Sequence, residues 1–141
     1  MNALQILKKL RKYELEQEEH RLMLHHQDVQ FRLQSKEEAE VKLQVDLEAK
    51  QQFQSTALLQ RFDAHFVESE QNIDLKTNEH LLSIQNRDLQ IQKTLMSKQR
   101  HDMIERVLEN RHHSELAELD QKERKFLDDV SQTRYAMGVT S

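Results

Sequence analysis

The sequence predicts an all-α fold: a long two-helix antiparallel coiled-coil hairpin. Three observations predict it. The 141 residues include no Pro and a single Gly, Gly138, whereas sheet folds need both residue types at their turns. Charged residues make up 33% and apolar ones 36%, against roughly 25% and 45–50% in typical globular domains, so there is apolar material for a thin seam but not for a compact core. Apolar residues also recur at intervals of seven, the spacing of a coiled-coil face. Leu, Ile, Val and Phe total 37, about a quarter of the chain and above the ~20% that marks disorder.

The first helix is expected over about 3–67. Leu, Gln, Glu, Lys and Arg, all good helix formers, dominate it. Leu15, Leu22 and Val29 are spaced by seven, and Leu43 rejoins the series after Lys36. Leu33 and Leu47 fall four residues after members of that series, the other side of a heptad seam. The stretch Ala39–Val41–Leu43–Val45–Leu47–Ala49 alternates with period two, as a strand would. No turn residue bounds it and polar residues, mostly charged, fill the gaps, so it reads as helix with apolar side chains on more than one face.

The turn is expected at about 68–77. Ser69, Asn72, Asp74 and Thr77 lie there, all of types that cap helix starts, and the segment sits at mid-chain. Two arms of about 65 residues would each run about 100 Å and bury each other's seams. The competing arrangement is one continuous helix that dimerises as a structural or adaptor rod. The seam suits either, and the cap cluster favours the hairpin. The second helix is expected over about 78–136. Leu75, Leu82, Leu89, Met96 and Met103 form an unbroken series of sevens, widened by Ile84, Ile91 and Leu95. On this reading Leu89→Asp unzips the hairpin by placing a charge in the seam. Leu116, Leu119, Phe126 and Val130 share one face further on, and Glu118–Lys122 and Asp120–Arg124 are favourable i,i+4 pairs. Met137 and Gly138 read as a helix stop before a frayed tail, 137–141.

Composition and motifs exclude several functions. Without Cys there is no disulfide, thiolate metal site or cysteine nucleophile. No phosphate loop, HExxH or nucleophile elbow is present, and carboxylates on an extended hairpin lack a pocket to perturb them, so no catalytic, cofactor or metal site is expected. His25–His26 and His112–His113 are adjacent pairs, and neighbours on a helix diverge by about 100°, so neither chelates alone. A turn near residue 69 would bring His26 opposite His112. A net charge of −4 argues against nucleic-acid binding. Met1–Lys12 has no secretion-signal pattern and no run reaches the ~18 apolar residues of a membrane span; a cytoplasmic location is expected. Lys8, Lys9, Arg11 and Lys12 beside Ile6, Leu7 and Leu10 form a basic amphipathic start, too short for firm membrane insertion.

Residues 98–135, KQRHDMIERVLENRHHSELAELDQKERKFLDDVSQTRY, carry a family resemblance. Glu123, Lys125, Leu127, Asp128, Asp129, Arg134 and Tyr135 resemble the end of the C-terminal helix of the FliJ/YscO group, stalk proteins of flagellar and type III secretion export ATPases. Asp129 departs from the Glu usual in the group. The basic start, the lack of Pro and the chain length also agree. The resemblance implies a non-enzymatic stalk at the cytoplasmic face of the inner membrane. Its paired ends would insert into a hexameric export ATPase, and its turn would face the membrane export gate. Secretion chaperones are further implied partners. The implied ATPase-binding tip joins Lys8, Lys9, Arg11 and Lys12 with Glu123, Arg124, Lys125, Asp128 and Asp129. The implied gate-facing turn carries Phe62, Phe66, Val67, Ile73 and Leu75, which could equally close the hairpin by packing.

Overall fold

The computed structural model describes residues 2–138. They form two helices, α1 (Ala3–Lys50) and α2 (Thr56–Ala136), and no strand among the described residues. The arms are antiparallel, as the hairpin requires. They are also unequal, at 48 and 81 residues, because the turn lies at 51–55 and not at 68–77.

Each end of α1 has a local cause. Asn2 and Gln5 form a reciprocal capping box: the Gln5 amide donates to Asn2 Oδ1 at 2.9 Å, and the Asn2 amide donates to Gln5 Oε1 at 3.2 Å. At the other end the ladder tightens to i→i+3 bonds, with the Gln51, Gln52 and Phe53 amides donating to the Glu48, Ala49 and Lys50 carbonyls. The bend then needs no glycine, because no non-Gly residue among those described takes a positive φ. Ser55 restarts the helix, its carbonyl accepting from the Leu59 amide at 3.1 Å. Aromatic packing fixes the bend: Phe53 meets Phe62 edge-on at 5.9 Å, Phe66 stacks on Phe62 at 6.2 Å, and Lys50 Nζ lies 5.2 Å from the Phe62 ring centre. The cap-type residues of 68–77 are spent inside α2 instead. Thr77 Oγ1 donates back to the Ile73 carbonyl at 2.8 Å, the usual fate of a mid-helix threonine.

The helices group into two units. One comprises Tyr13–Ser97 and contains the turn. Its α1 face is the expected one: Leu15, Leu22, Leu43 and Leu47 are half-buried and Val29 is buried, while Val41 and Val45 point outward. Its α2 face is not. The inner rows carry Phe62, Phe66 and Ile73 near the turn, then Lys76, His80, Ser83, Arg87, Gln90, Thr94 and Ser97. Val29 and Phe62 are the buried apolar residues among those described, and Ser83 and Gln90 are the buried polar ones. The expected α2 seam faces solvent: Leu75, Leu82, Leu89 and Met96 are each 54–58% exposed.

The other unit joins the start of α1, up to Lys12, with α2 from Lys98 onward. Leu4 and Leu7 are half-buried on one side, His101, Ile104 and Leu108 on the other. Met103, the last of the series of sevens, is exposed. Past this short pairing α2 continues alone. Every residue from Glu109 to Asp129 is exposed, a lone helical stretch of about 30 Å at 1.5 Å per residue. It ends where the sequence indicates. Gly138, at φ +73°, donates its amide to the Tyr135 carbonyl, the left-handed stop that glycine allows. Residues 139–141 of the expected tail, and Met1, lie outside the described residues.

Candidate functional site

The surfaces available for function follow from which side chains the hairpin uses internally. The inner face of Tyr13–Ser97 is tied by a ladder of polar contacts in one register. Asp46 Oδ2 lies 3.0 Å from His65 Nε2; Lys76 Nζ donates to Ser35 Oγ at 2.7 Å; Arg32 donates to Glu79 at 2.9 Å and to Asp28 at 3.4 Å. Further along, Gln90 Nε2 donates to the Glu18 carboxylate and, at 3.3 Å, to the Glu18 carbonyl, and Thr94 Oγ1 also reaches that carbonyl at 3.3 Å. These groups are spaced to hold register. Most of the ion pairs are about 40% exposed, where a pair contributes at most about 1 kcal/mol. His80 Nδ1 is buried without a hydrogen-bond partner.

The residues of the expected ATPase-binding tip do not come together. Lys8 pairs with Glu105 at 3.8 Å, and Lys9 and Lys12 are exposed beside it, with Arg11 half-buried. Glu123, Arg124, Lys125, Asp128 and Asp129 stand on the lone part of α2, all exposed. Glu123 is 18 residues beyond Glu105, about 27 Å along the helix. The unequal arms cause this separation: a turn at 51–55 exhausts α1 long before α2 ends. His112 and His113 also lie on the lone stretch, both exposed.

That stretch is amphipathic. Leu116, Leu119 and Phe126, read from sequence as one face, are 50–66% exposed, and Leu127 and Tyr135 are exposed as well. Asp120 and Arg124 pair at 3.2 Å along its flank. The residues of the expected gate-facing turn divide. Phe62 is buried and Phe66 stacks on it, so these two close the bend. Ile73 is half-buried on the inner row, while Val67 and Leu75 are exposed on α2.

Two further features bear on chemistry. His101, Asp102 and Glu105 place three potential metal ligands within 4.8 Å of one another. Lys8 Nζ lies 3.8 Å from Glu105, and the His101 ring nitrogens lie 3.6 Å from Asp102 and 3.7 Å from Glu105. A shallow pocket of about 250 Å³ beside the bend is lined by Asp46, Phe53, Leu58, Phe62 and His65. It is an open groove next to the aromatic cluster. No helix among the described residues is long and apolar enough to cross a membrane.

No family model matches the chain, and no curated protein or solved structure is detectably similar to it. What the molecule offers a partner is therefore read from its own surfaces: the lone end of α2, and the outward apolar row of its middle.

Proposed function

We propose that the chain is a non-enzymatic helical stalk of a type III secretion or flagellar export apparatus. In this reading it inserts into the hexameric export ATPase and couples that ring to the membrane export gate, at the cytoplasmic face of the inner membrane, with secretion chaperones as further partners. One observation carries the reading beyond the resemblance of residues 98–135: α2 outruns α1 and presents Glu109–Asp129 as a solitary, fully exposed amphipathic helix. A lone helix that exposes Leu116, Leu119 and Phe126 among charged side chains, Glu123 on the same face, gains from insertion into a surrounding sleeve of protein. A single shaft in a six-fold ring cannot match every subunit, and flexible charged side chains such as Glu123, Arg124, Lys125 and Asp128 tolerate that mismatch.

In this form the stalk inserts by the end of α2 alone. Lys8, Lys9, Arg11 and Lys12 would meet the rim of the ring, at a level about 27 Å behind Glu123. The test is ATP hydrolysis by the export ATPase of the same cell, titrated with the chain. Saturating stimulation near one stalk per six subunits is expected. A truncated chain ending at Leu108 should retain the hairpin and lose the stimulation. Well-folded protein that neither binds nor stimulates the ATPase would end this reading.

A further inference from the structure

The middle of α2 turns its best apolar row outward. Leu75, Leu82, Leu89 and Met96 follow one another at sevens and are each more than half exposed, and Leu81 and Leu95 stand on the adjoining row, 52% exposed. Between these two rows runs a third made only of amides: Asn78, Gln85 and Gln92, all exposed. The amide row itself brings no charge to desolvate, and Asp88, midway between Leu81 and Leu95 on the adjoining row, is paired with Arg87 at 3.1 Å. The inner face of the same stretch carries Ser83, Arg87, Gln90 and Thr94. This inversion, polar toward α1 and apolar toward solvent, is the reverse of what an isolated amphipathic helix adopts.

We infer that this outer face pairs α2 with α2 of a second copy of the chain, antiparallel, about a two-fold axis passing near Asn86. Two properties of the strip select that occupant. The first is charge. Glu79, Asn86 and Lys93 occupy one row at sevens, flanking the leucines; the Glu79 carboxylate accepts from Arg32 of its own chain at 2.9 Å and, 41% exposed, keeps an outward side for a second cation. Antiparallel pairing sets Glu79 against Lys93 of the second copy, Lys93 against its Glu79, and Asn86 against Asn86. Parallel pairing would set Glu79 against Glu79 and Lys93 against Lys93, which is unfavourable. The same antiparallel register brings Leu82 beside Leu89 of the second copy and Leu75 beside its Met96. On the opposite flank Asp88 is already neutralised by Arg87 at 3.1 Å.

The second property is area. Six half-exposed side chains offer on the order of 100 Å² each. Two copies face to face then cover at most about 1,200 Å² of these side chains, at the lower bound of the ~1,200–2,000 Å² that stable interfaces bury. The amide row adds to that total. A self-complementary strip satisfies both conditions with one surface, as a two-fold interface must. This pairing uses the face of α2 within Tyr13–Ser97 and is independent of the stalk reading, which concerns the helix beyond Leu108.

The test uses the full chain. Sedimentation equilibrium across about 1–100 μM should show mass rising from 16.9 kDa toward twice that value. Leu82→Glu/Leu89→Glu should stay at the monomer mass with its helical circular dichroism retained, since both side chains face solvent in the hairpin. Lys93→Glu should weaken dimerisation about tenfold, through two pairs turned repulsive, and adding Glu79→Lys should restore it. Because the chain has no Cys, orientation can be read by cross-linking with a short bis-maleimide. Asn86→Cys should link two copies, whereas Asn72→Cys, about 40 Å from its counterpart in this register, should not. A monomer at every concentration, a dimer that survives Leu82→Glu/Leu89→Glu, or equal linking at Asn72→Cys would each overturn the inference.

Discussion

Val29 and Val45 sit on the same helix, are the same residue, and differ in one respect: Val29 is 6% exposed and Val45 57%. Replacing each with Asp therefore isolates burial. Val and Asp have nearly equal helix propensity, so that contribution cancels between the two variants. At position 29 the change forfeits the burial of a valine, about 1.5 kcal/mol. It also places a carboxylate against the inner face, costing about 1.5–2 kcal/mol more after partial escape to water at the edge of a two-helix seam. Arg32, the nearest cation on α1, is already held by Asp28 and Glu79, so rescue by a new ion pair is weak. The sum, about 3 kcal/mol, is a factor of about 150 in the unfolding equilibrium. For a chain of this length it corresponds to a fall in melting temperature of about 10 °C. Val45→Asp should shift it by no more than about 2 °C, as surface substitutions do. Thermal unfolding followed by circular dichroism at about 1 μM, the dilute end of the range proposed for self-association, decides between them. Equal losses from the two variants would refute the assignment of the α1 seam.

The remaining predictions probe other parts of the hairpin. Leu89→Asp, expected from sequence to unzip the arms, should leave the melting temperature at low concentration within about 3 °C, because Leu89 faces outward; a large loss would return Leu75–Met103 to the seam. Phe62→Ala should destabilise by about 3 kcal/mol, since Phe62 is buried between Phe53 and Phe66; denaturant midpoints measure it. A double-mutant cycle on Arg32→Ala and Glu79→Ala should return a coupling below about 1 kcal/mol, and a larger value would show the ladder to be a main source of stability.

The helical class and the hairpin were legible because they rest on properties every residue shares: no Pro, one terminal Gly, and helix formers throughout. The α1 seam was legible as well. Leu15, Leu22, Val29 and Leu43 turn inward as their spacing indicates. The α2 seam was not, because the strongest heptad on a helix marks the face that wants a partner, not the partner it gets. Here the bend at 51–55 and its aromatic cluster set which face of α2 meets α1, and that face carries Ser69, Ser83 and Ser97 at every second heptad. Small side chains there let the α1 aliphatics approach closely. The bend is faint in the sequence because Gln51–Ser55 contains neither Gly nor Pro. The available signals were Ser55 as a cap and the aromatic set Phe53, Phe62 and Phe66. The cap-type residues of 68–77 misled because Ser and Thr can equally turn their hydroxyls back onto the preceding helical turn. With the bend at 51–55, the nine charged residues of the expected tip divide between the start of α1 and the lone part of α2.

The inverted α2 also bears on how the fold is held. Two buried apolar residues, Val29 and Phe62, and a ladder of half-exposed polar pairs are a slender basis for helices of 48 and 81 residues. Helix propensity supports the backbone locally, but most helical stability in proteins comes from packing an apolar face, and the apolar face of α2 is unpacked in the single chain. Whatever covers it binds the folded state and not the unfolded one, so it adds stability by mass action, about 2.7 kcal/mol when present at a hundred times its dissociation constant. The melting temperature should therefore rise with protein concentration, and Leu82→Glu/Leu89→Glu should abolish that rise while leaving the low-concentration value in place. A concentration-independent melting temperature in the unaltered chain would mean that the inner face alone accounts for the stability, and that the outward row of leucines plays no part in folding.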